Sequence, residues 1–316
     1  MILIPFPEMT ALAHDIGGSM GAQVRQLGLH RFPDGESLVT LPDGLDGADV
    51  GFVATLRDPD HLALPLRFAA VTAREMGACR VGLIAPYLGY MRQDKSFLPG
   101  QAVSAPLFAD FLCQSFDWLL TVDPHLHRIA RLEDIFRVPA MRVATARSIA
   151  TWISREVPDA ILLGPDSESR QWVAEVAGMG GRPFEVLQKS RSGDRLVEVS
   201  VPDGVDLRQG TPVILDDIAS SGRTMVRVVE RVLAAGVRPP VCILIHAVFA
   251  GSAYNEIRSA GAARIVSTDS IPHESNAIFL GKMIGQAVSA FLATPPLRDA
   301  ASGTGNPAPT WTGPKK

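Results

Sequence analysis

The stretch Val213-Ile214-Leu215-Asp216-Asp217-Ile218-Ala219-Ser220-Ser221-Gly222-Arg223-Thr224 holds the residues best suited to chemistry. An apolar run ends in two adjacent carboxylates, and a small hydroxyl-rich loop leads into a helical pattern. In open α/β sheets ligands sit at the carboxyl ends of strands. Backbone N–H groups of such a loop, with the following helix N-terminus, favour an anion. The hydroxyls of Ser220, Ser221 and Thr224 add donors, so a phosphate fits. Asp216 and Asp217 suit sugar hydroxyls or a metal. A phosphate beside a diol describes a sugar phosphate. An ordinary turn with Ser221 as helix N-cap accounts for the serines. It does not account for two like charges directly after Val-Ile-Leu, which cost energy unless neutralised.

Other polar clusters follow strand candidates. The loop Tyr90-Met91-Arg92-Gln93-Asp94-Lys95 offers cations to clamp phosphates and an amide to read a base edge, or else is a solvated loop with an Arg–Asp pair. In Arg31-Phe32-Pro33-Asp34-Gly35-Glu36, Pro-Asp-Gly is turn chemistry; the functional alternative makes Phe32 a stacking face and Asp34 and Glu36 acceptors for an exocyclic amine. In Asp123-Pro124-His125-Leu126-His127 a strand-end histidine can ligate a metal, contact phosphate or cap a helix. Asp166, in Gly164-Pro165-Asp166, faces substrate or Mg2+, or caps the helix after it. Gln188-Lys189-Ser190-Arg191-Ser192-Gly193-Asp194 puts two cations on a polar, flexible loop, which can close over a phosphate chain. There is no Gly-x-x-x-x-Gly-Lys-Ser/Thr loop, and no Gly-x-Gly-x-x-Gly opens a helix.

These loops need strands and helices to hold them. Strands are expected at 2–5, 51–54, 81–85, 118–122, 160–163, 213–215, 242–248 and 264–267. Helical patterns fall at 62–76, 102–116, 148–155, 167–177, 224–235 and 253–260, with a last helix over 276–292. Short apolar runs alternating with amphipathic stretches indicate α/β architecture with mainly parallel sheets flanked by helices. The run of elements occurs twice, divided near residue 145. Residues 294–316, rich in Pro, Gly, Ser and Thr, read as a disordered tail.

With 316 residues, 47% of them hydrophobic, the chain has material for two domains with sizeable cores. A net charge of -3 gives no electrostatic ground for nucleic acid or an anionic membrane as partner. No apolar run reaches the ~18 residues of a membrane span; the longest, Val241–Ala250, is interrupted by His246. Nor does the start resemble a signal peptide. Cys79, Cys113 and Cys242 read as reduced core thiols of a cytoplasmic protein.

Taken in order, these segments resemble the ribose-phosphate diphosphokinase (phosphoribosyl pyrophosphate synthetase) family over about residues 28–290. Ser270-Ile271-Pro272-His273 is similar to the family as well. The resemblance implies two tandem phosphoribosyltransferase-type domains, 1–145 and 146–293. It implies transfer of the diphosphate of MgATP to the C1 hydroxyl of ribose 5-phosphate, releasing AMP. Phe32, Asp34 and Glu36 would then hold adenine across a subunit interface of a homo-oligomer, and Arg92, Gln93 and Asp94 would form the ATP loop. His125 and Asp166 would flank Mg2+. Lys189 and Arg191 would be catalytic. Asp216 and Asp217 would take the ribose hydroxyls, and Ser220, Ser221, Gly222, Arg223 and Thr224 the 5-phosphate. On this division a change at Asp217 leaves ATP, held by Arg92, Gln93 and His125, untouched. Departures stand at Ser220-Ser221, where Asp-Thr is common, at Arg223, where a small residue is usual, and at Gln101, where Glu is usual. The loop 97–104 is similar to the archaeal type. A phosphoribosyltransferase and a non-catalytic regulatory paralogue are the alternatives.

Overall fold

The computed structural model describes residues 1–126, 128–191, 197–200 and 206–293. The N-terminal half runs β1 (Ile2–Pro5), α1 (Thr10–Met20), β2 (Gln23–Val24), the hairpin β3 (Gly28–Arg31) and β4 (Ser37–Thr40), β5 (Asp49–Val53), α2 (Pro59–Glu75), β6 (Arg80–Ala85), α3 (Ser104–Cys113), β7 (Trp118–Val122), β8 (Ala140–Val143) and α4 (Ala146–Glu156). The C-terminal half repeats that order. It has β9 (Ala160–Gly164), α5 (Arg170–Gly180), β10 (Phe184–Val186), the hairpin β11 (Gln188–Arg191) and β12 (Val197–Ser200), and β13 (Thr211–Ile218). Then follow α6 (Arg223–Ala234), β14 (Val241–His246), α7 (Ala253–Ser259), β15 (Arg264–Thr268), β16 (Asn276–Ile278) and α8 (Gly281–Ala293).

Each half builds one six-stranded sheet, in orders β2-β1-β5-β6-β7-β8 and β10-β9-β13-β14-β15-β16. All pairings within these two sheets are parallel. Central strands such as Trp118–Val122 and Val241–His246 are buried at every residue, as expected where helices cover both faces. Helix α6 shows the complementary pattern, burying Met225, Val228, Val229 and Val232 at helical spacing.

The halves are interlocked. The last helix of each half lies against the first helix of the other, α4 on α5 and α8 on α1. The α1–α8 contact is close because α8 presents Gly281 and Gly285. A Cβ on Gly285 would come within 1.9 Å of Ser19 Oγ and 2.9 Å of the Ile16 carbonyl oxygen. Trp118 of β7 packs on Phe291 of α8, and one continuous core takes Leu3, Trp118 and Val143 from the first sheet with Leu162, Val213 and Ile243 from the second.

Three sequence expectations change. Residues 276–292 are not one helix: β16 pairs with β15 before α8 begins at Gly281. Helix α1 is not among the helical patterns expected from the sequence, its amphipathic stripe being short and interrupted by glycines. Of the cysteines only Cys242 is a core thiol; Cys79 is exposed and Cys113 half-buried. His127, residues 192–194 of the cationic loop and the tail 294–316 lie outside the described residues. Among the described residues no helix is long and apolar enough to cross a membrane.

Candidate active site

Strand ends from both halves meet at one cavity of about 240 Å³. The N-terminal half brings Arg92 from the loop after β6, and Asp123 and His125 from the turn after β7. The C-terminal half brings Asp166 after β9, Asp216 and Asp217 near the end of β13, and Thr224 at the start of α6.

The acidic pair lies within the strand: Asp216 is in register with Leu244 of β14, and the pairing continues to Ile218 against His246. Burial, with Asp217 and Asp166 as like-charged neighbours, pushes the Asp216 carboxyl well above its ordinary range. Burial acts to raise Asp217 too, but the hydrogen bond and charge of His125 bring it below the ordinary value. His125 Nδ1 is hydrogen-bonded to Asp217 Oδ2, joining the two halves directly. Asp217 is thus in contact with His125, one of the residues expected to meet ATP.

Beyond the pair, the chain turns through Ser220 and Ser221 to Gly222, whose φ of +70° permits the sharp entry to α6. Gly222 is the N-cap and makes no side-chain cap; Ser221 does not take that role. Behind the loop, Phe249 N–H donates to the Ala219 carbonyl and Ala250 N–H to that of Ser220, both at 2.9 Å. The N-terminus of a twelve-residue helix, preceded by hydroxyls and with Arg223 as its first residue, is a suitable cradle for a phosphate.

The other sequence-derived residues divide. Asp166 both lines the cavity and caps a short 3-10 turn, its Oδ1 accepting from Glu168 N–H at 3.0 Å. Gln93 is exposed beside Arg92. Asp94 is buried and holds Arg128 through the backbone N–H at 3.2 Å and Nη1 at 2.9 Å, so the Arg–Asp pair of this loop is with Arg128. The Pro-Asp-Gly turn is the tip of the β3–β4 hairpin. Its Asp34 and Glu36 line a separate groove of about 610 Å³ against α2, and Phe32 is 41% exposed. In one protomer that hairpin forms no part of the central cavity's wall. The hairpin β11–β12 carrying Lys189 and Arg191 occupies the same place in the second half's order of elements.

Arg142, Trp172 and Glu168 also line the cavity, and no spacing in the sequence singles them out. Among the described residues no group of three or more metal-ligating side chains forms a ready-made metal cage.

An Asp-Asp strand end followed by a phosphate-sized loop, on a fold built twice, defines a protein of the phosphoribosyltransferase type with two tandem units. Residues 133–278 match the phosphoribosyl transferase domain, and residues 1–115 match the N-terminal domain of ribose phosphate pyrophosphokinase. The ribose-phosphate pyrophosphokinase of Methanopyrus kandleri is 31% identical over 91% of this chain and 98% of its own. That of Halobacterium salinarum is 31% identical over 85% of this chain and 94% of its own. The chain belongs to the ribose-phosphate pyrophosphokinase family. The crystal structure of phosphoribosylpyrophosphate synthetase from Mycobacterium smegmatis shares the fold, with a TM-score of 0.80 at 20% identity over 92% of this chain and 98% of that one.

Proposed function

We propose that the chain transfers the diphosphate of ATP to the C1 hydroxyl of ribose 5-phosphate, giving 5-phosphoribosyl 1-diphosphate and AMP. The observation that carries this is the shared cavity: Arg92, Arg142 and His125 from one half face Asp166, Asp216, Asp217 and Thr224 of the other, Thr224 being the last residue of the phosphate loop. A donor nucleotide and an acceptor sugar phosphate need such a two-sided site.

Ser220, Ser221, Gly222, Arg223 and Thr224 hold the 5-phosphate, and Asp216 and Asp217 accept hydrogen bonds from the ribose hydroxyls. This leaves C1 over the cavity. The C1 hydroxyl oxygen attacks the β-phosphorus and releases its proton to solvent, the bond from that phosphorus to the oxygen bridging it to the α-phosphorus breaks, and AMP leaves with that oxygen. Arg92 and Gln93 bind the nucleotide phosphates, while Asp94 keeps their loop in place through Arg128. Lys189 and Arg191 neutralise charge on the moving diphosphate. Phe32, Asp34 and Glu36 serve the adenine of a neighbouring protomer, so the active form is at least a dimer.

Mg2+ fits this donor set. Magnesium is usually held by one or two carboxylates together with substrate phosphates, not by an all-protein cage. Burial, with Asp217 and Asp166 as like-charged neighbours, raises the proton affinity of Asp216, and such crowding of carboxylates also favours a divalent cation. Asp166 and His125 would hold it, and it would supply charge neutralisation on the diphosphate. The site belongs to a cytoplasmic enzyme of two domains, 1–145 and 146–293, in which α4, last in the N-terminal order of elements, counts with the C-terminal domain whose α5 it packs on.

Purified protein incubated with MgATP and ribose 5-phosphate should release AMP in step with 5-phosphoribosyl 1-diphosphate. No AMP, with consumption of 5-phosphoribosyl 1-diphosphate in the presence of a nucleobase, would instead identify a phosphoribosyltransferase. Sedimentation of a fully active monomer would remove the shared adenine site.

A further inference from the structure

His246 ends β14 and is 1% exposed, yet it does not line the cavity. Its Nε2 lies 3.2 Å from the carbonyl oxygen of Asp123 and its Nδ1 lies 2.8 Å from Ser270 Oγ. A carbonyl can only accept, so Nε2 carries the proton and Nδ1 is the acceptor. The Ser270 hydroxyl lies 3.1 Å from the Ile245 carbonyl, which already accepts from the Thr268 hydroxyl at 2.6 Å, and 2.8 Å from the unprotonated Nδ1, so the shorter contact, to the imidazole, takes its hydrogen. Tyr87 of the other half stands edge-on to the ring, with centroids 4.9 Å apart.

The acceptor of this bond is a strained residue. Asp123 takes φ +31°, a costly conformation for a side chain with a Cβ. Its own half holds it on three sides. Its N–H donates to the Val143 carbonyl at 3.0 Å, Oδ1 accepts from Arg142 at 2.9 Å, and Oδ2 accepts from Thr145 N–H at 2.7 Å and Oγ1 at 2.6 Å. His246, from the opposite half, holds the fourth. Two residues further on, His125 meets Asp217, and Asp217 stands on the strand paired with that of His246.

We propose that His246 is a positioning residue: by donating from Nε2 to the Asp123 carbonyl it fixes the 123–125 turn, so that His125 meets Asp217 across the seam between the halves. This rests on the cavity being the active site, since without it the turn would be merely structural. A buried histidine that only fills space would be replaced equally well by phenylalanine.

Two variants and two readouts separate these roles. His246→Gln keeps an N–H donor on a side chain of similar reach, whereas His246→Phe keeps the volume and loses the donor. In AMP-release kinetics, His246→Phe should lower kcat on the order of 100-fold, with the KM for ribose 5-phosphate within about twofold. His246→Gln should recover at least about tenfold of that loss. In 15N spectra the wild type should show His246 protonated at Nε2. The hydrogen-bonded Nδ1–H signal of His125 should persist in the Gln variant and vanish in the Phe variant. A wild-type Nδ1–H tautomer at His246, or a folded Phe variant that keeps the His125 signal, overturns the proposal. So does Gln performing no better than Phe. The spectra decide positioning even if the wild type releases no AMP, a result that would sink the proposed reaction alone. Should the Phe variant fail to fold, the wild-type tautomer and the Gln variant decide the matter.

Discussion

His125, just beyond β7 in the N-terminal half, is hydrogen-bonded through Nδ1 to the Asp217 carboxylate on β13 of the C-terminal half. With Asp217 ionised, the ring nitrogen is the donor. One contact therefore ties together the two walls of the cavity that the proposed reaction assigns to nucleotide and sugar, and it sets what each carboxylate variant should do.

Asp217→Asn should weaken ribose 5-phosphate binding by roughly 1.5–3 kcal/mol, because an amide accepts more weakly than a carboxylate. Nucleotide affinity should fall with it, since His125 loses an anionic partner. Asp216→Asn should weaken the sugar and leave the nucleotide unchanged. Calorimetric titration of each variant with each substrate, beside a melting curve, measures all four effects. Equal behaviour of the two variants would mean that the His125 contact carries no functional coupling.

Lys189→Ala and Arg191→Ala should each depress kcat far more than they raise KM. In the proposed scheme they neutralise charge on the moving diphosphate, and removing one such contact costs on the order of 3 kcal/mol in the barrier. Steady-state kinetics in both substrates give the split. Near-normal kcat in both variants would remove the β11 cations from catalysis.

The seam between α1 and α8 should be intolerant at one glycine and indifferent at another. Gly285→Ala forces a Cβ against the Ile16 carbonyl and Ser19, and should cost about 1–3 kcal/mol as overpacking. Gly18→Ala, on the open face of α1, meets nothing within 4 Å. It should stabilise by roughly 0.5–1 kcal/mol through helix propensity. Melting temperatures that move the same way in both variants would show that the close approach is not what holds the halves.

Asp269 supplies a pH test. Burial raises its pKa to about 6, with Asp15 adding like charge, although Oδ1 accepts from Leu280 N–H at 2.9 Å. A carboxyl whose folded pKa lies above its unfolded one favours the fold most below the unfolded value. That contribution is lost as the pH rises through about 6. Asp269→Asn keeps an oxygen acceptor and removes the buried charge. It should melt higher than the wild type at pH 8, by about 1–2 kcal/mol after allowance for solvent screening. The two should converge near pH 4. An advantage that grows on acidification would reverse the assigned sign.

The sequence by itself determined the loops and the strands that end in them. Val-Ile-Leu before Asp216-Asp217, and the hydroxyl-rich turn into α6, are encoded within a dozen residues. Strand and helix periodicities are likewise local, so the repeated order of elements was legible. So was the Pro-Asp-Gly hairpin, because turn chemistry needs no distant partner. What only the tertiary structure decided depends on how two sheets dock. His125 and Asp217 are 92 positions apart, and His246 and Asp123 are 123 apart. No spacing rule connects such pairs. Asp94 had the residue type of a ligand contact, yet folding buried it against Arg128, because a carboxylate removed from water must find a partner. Arg142 and Trp172 joined the cavity wall through β8 and α5, elements whose sequences signal only packing. The close docking of α8 on α1 depends on the glycine face of α8, a feature whose meaning appears only once α1 lies against it.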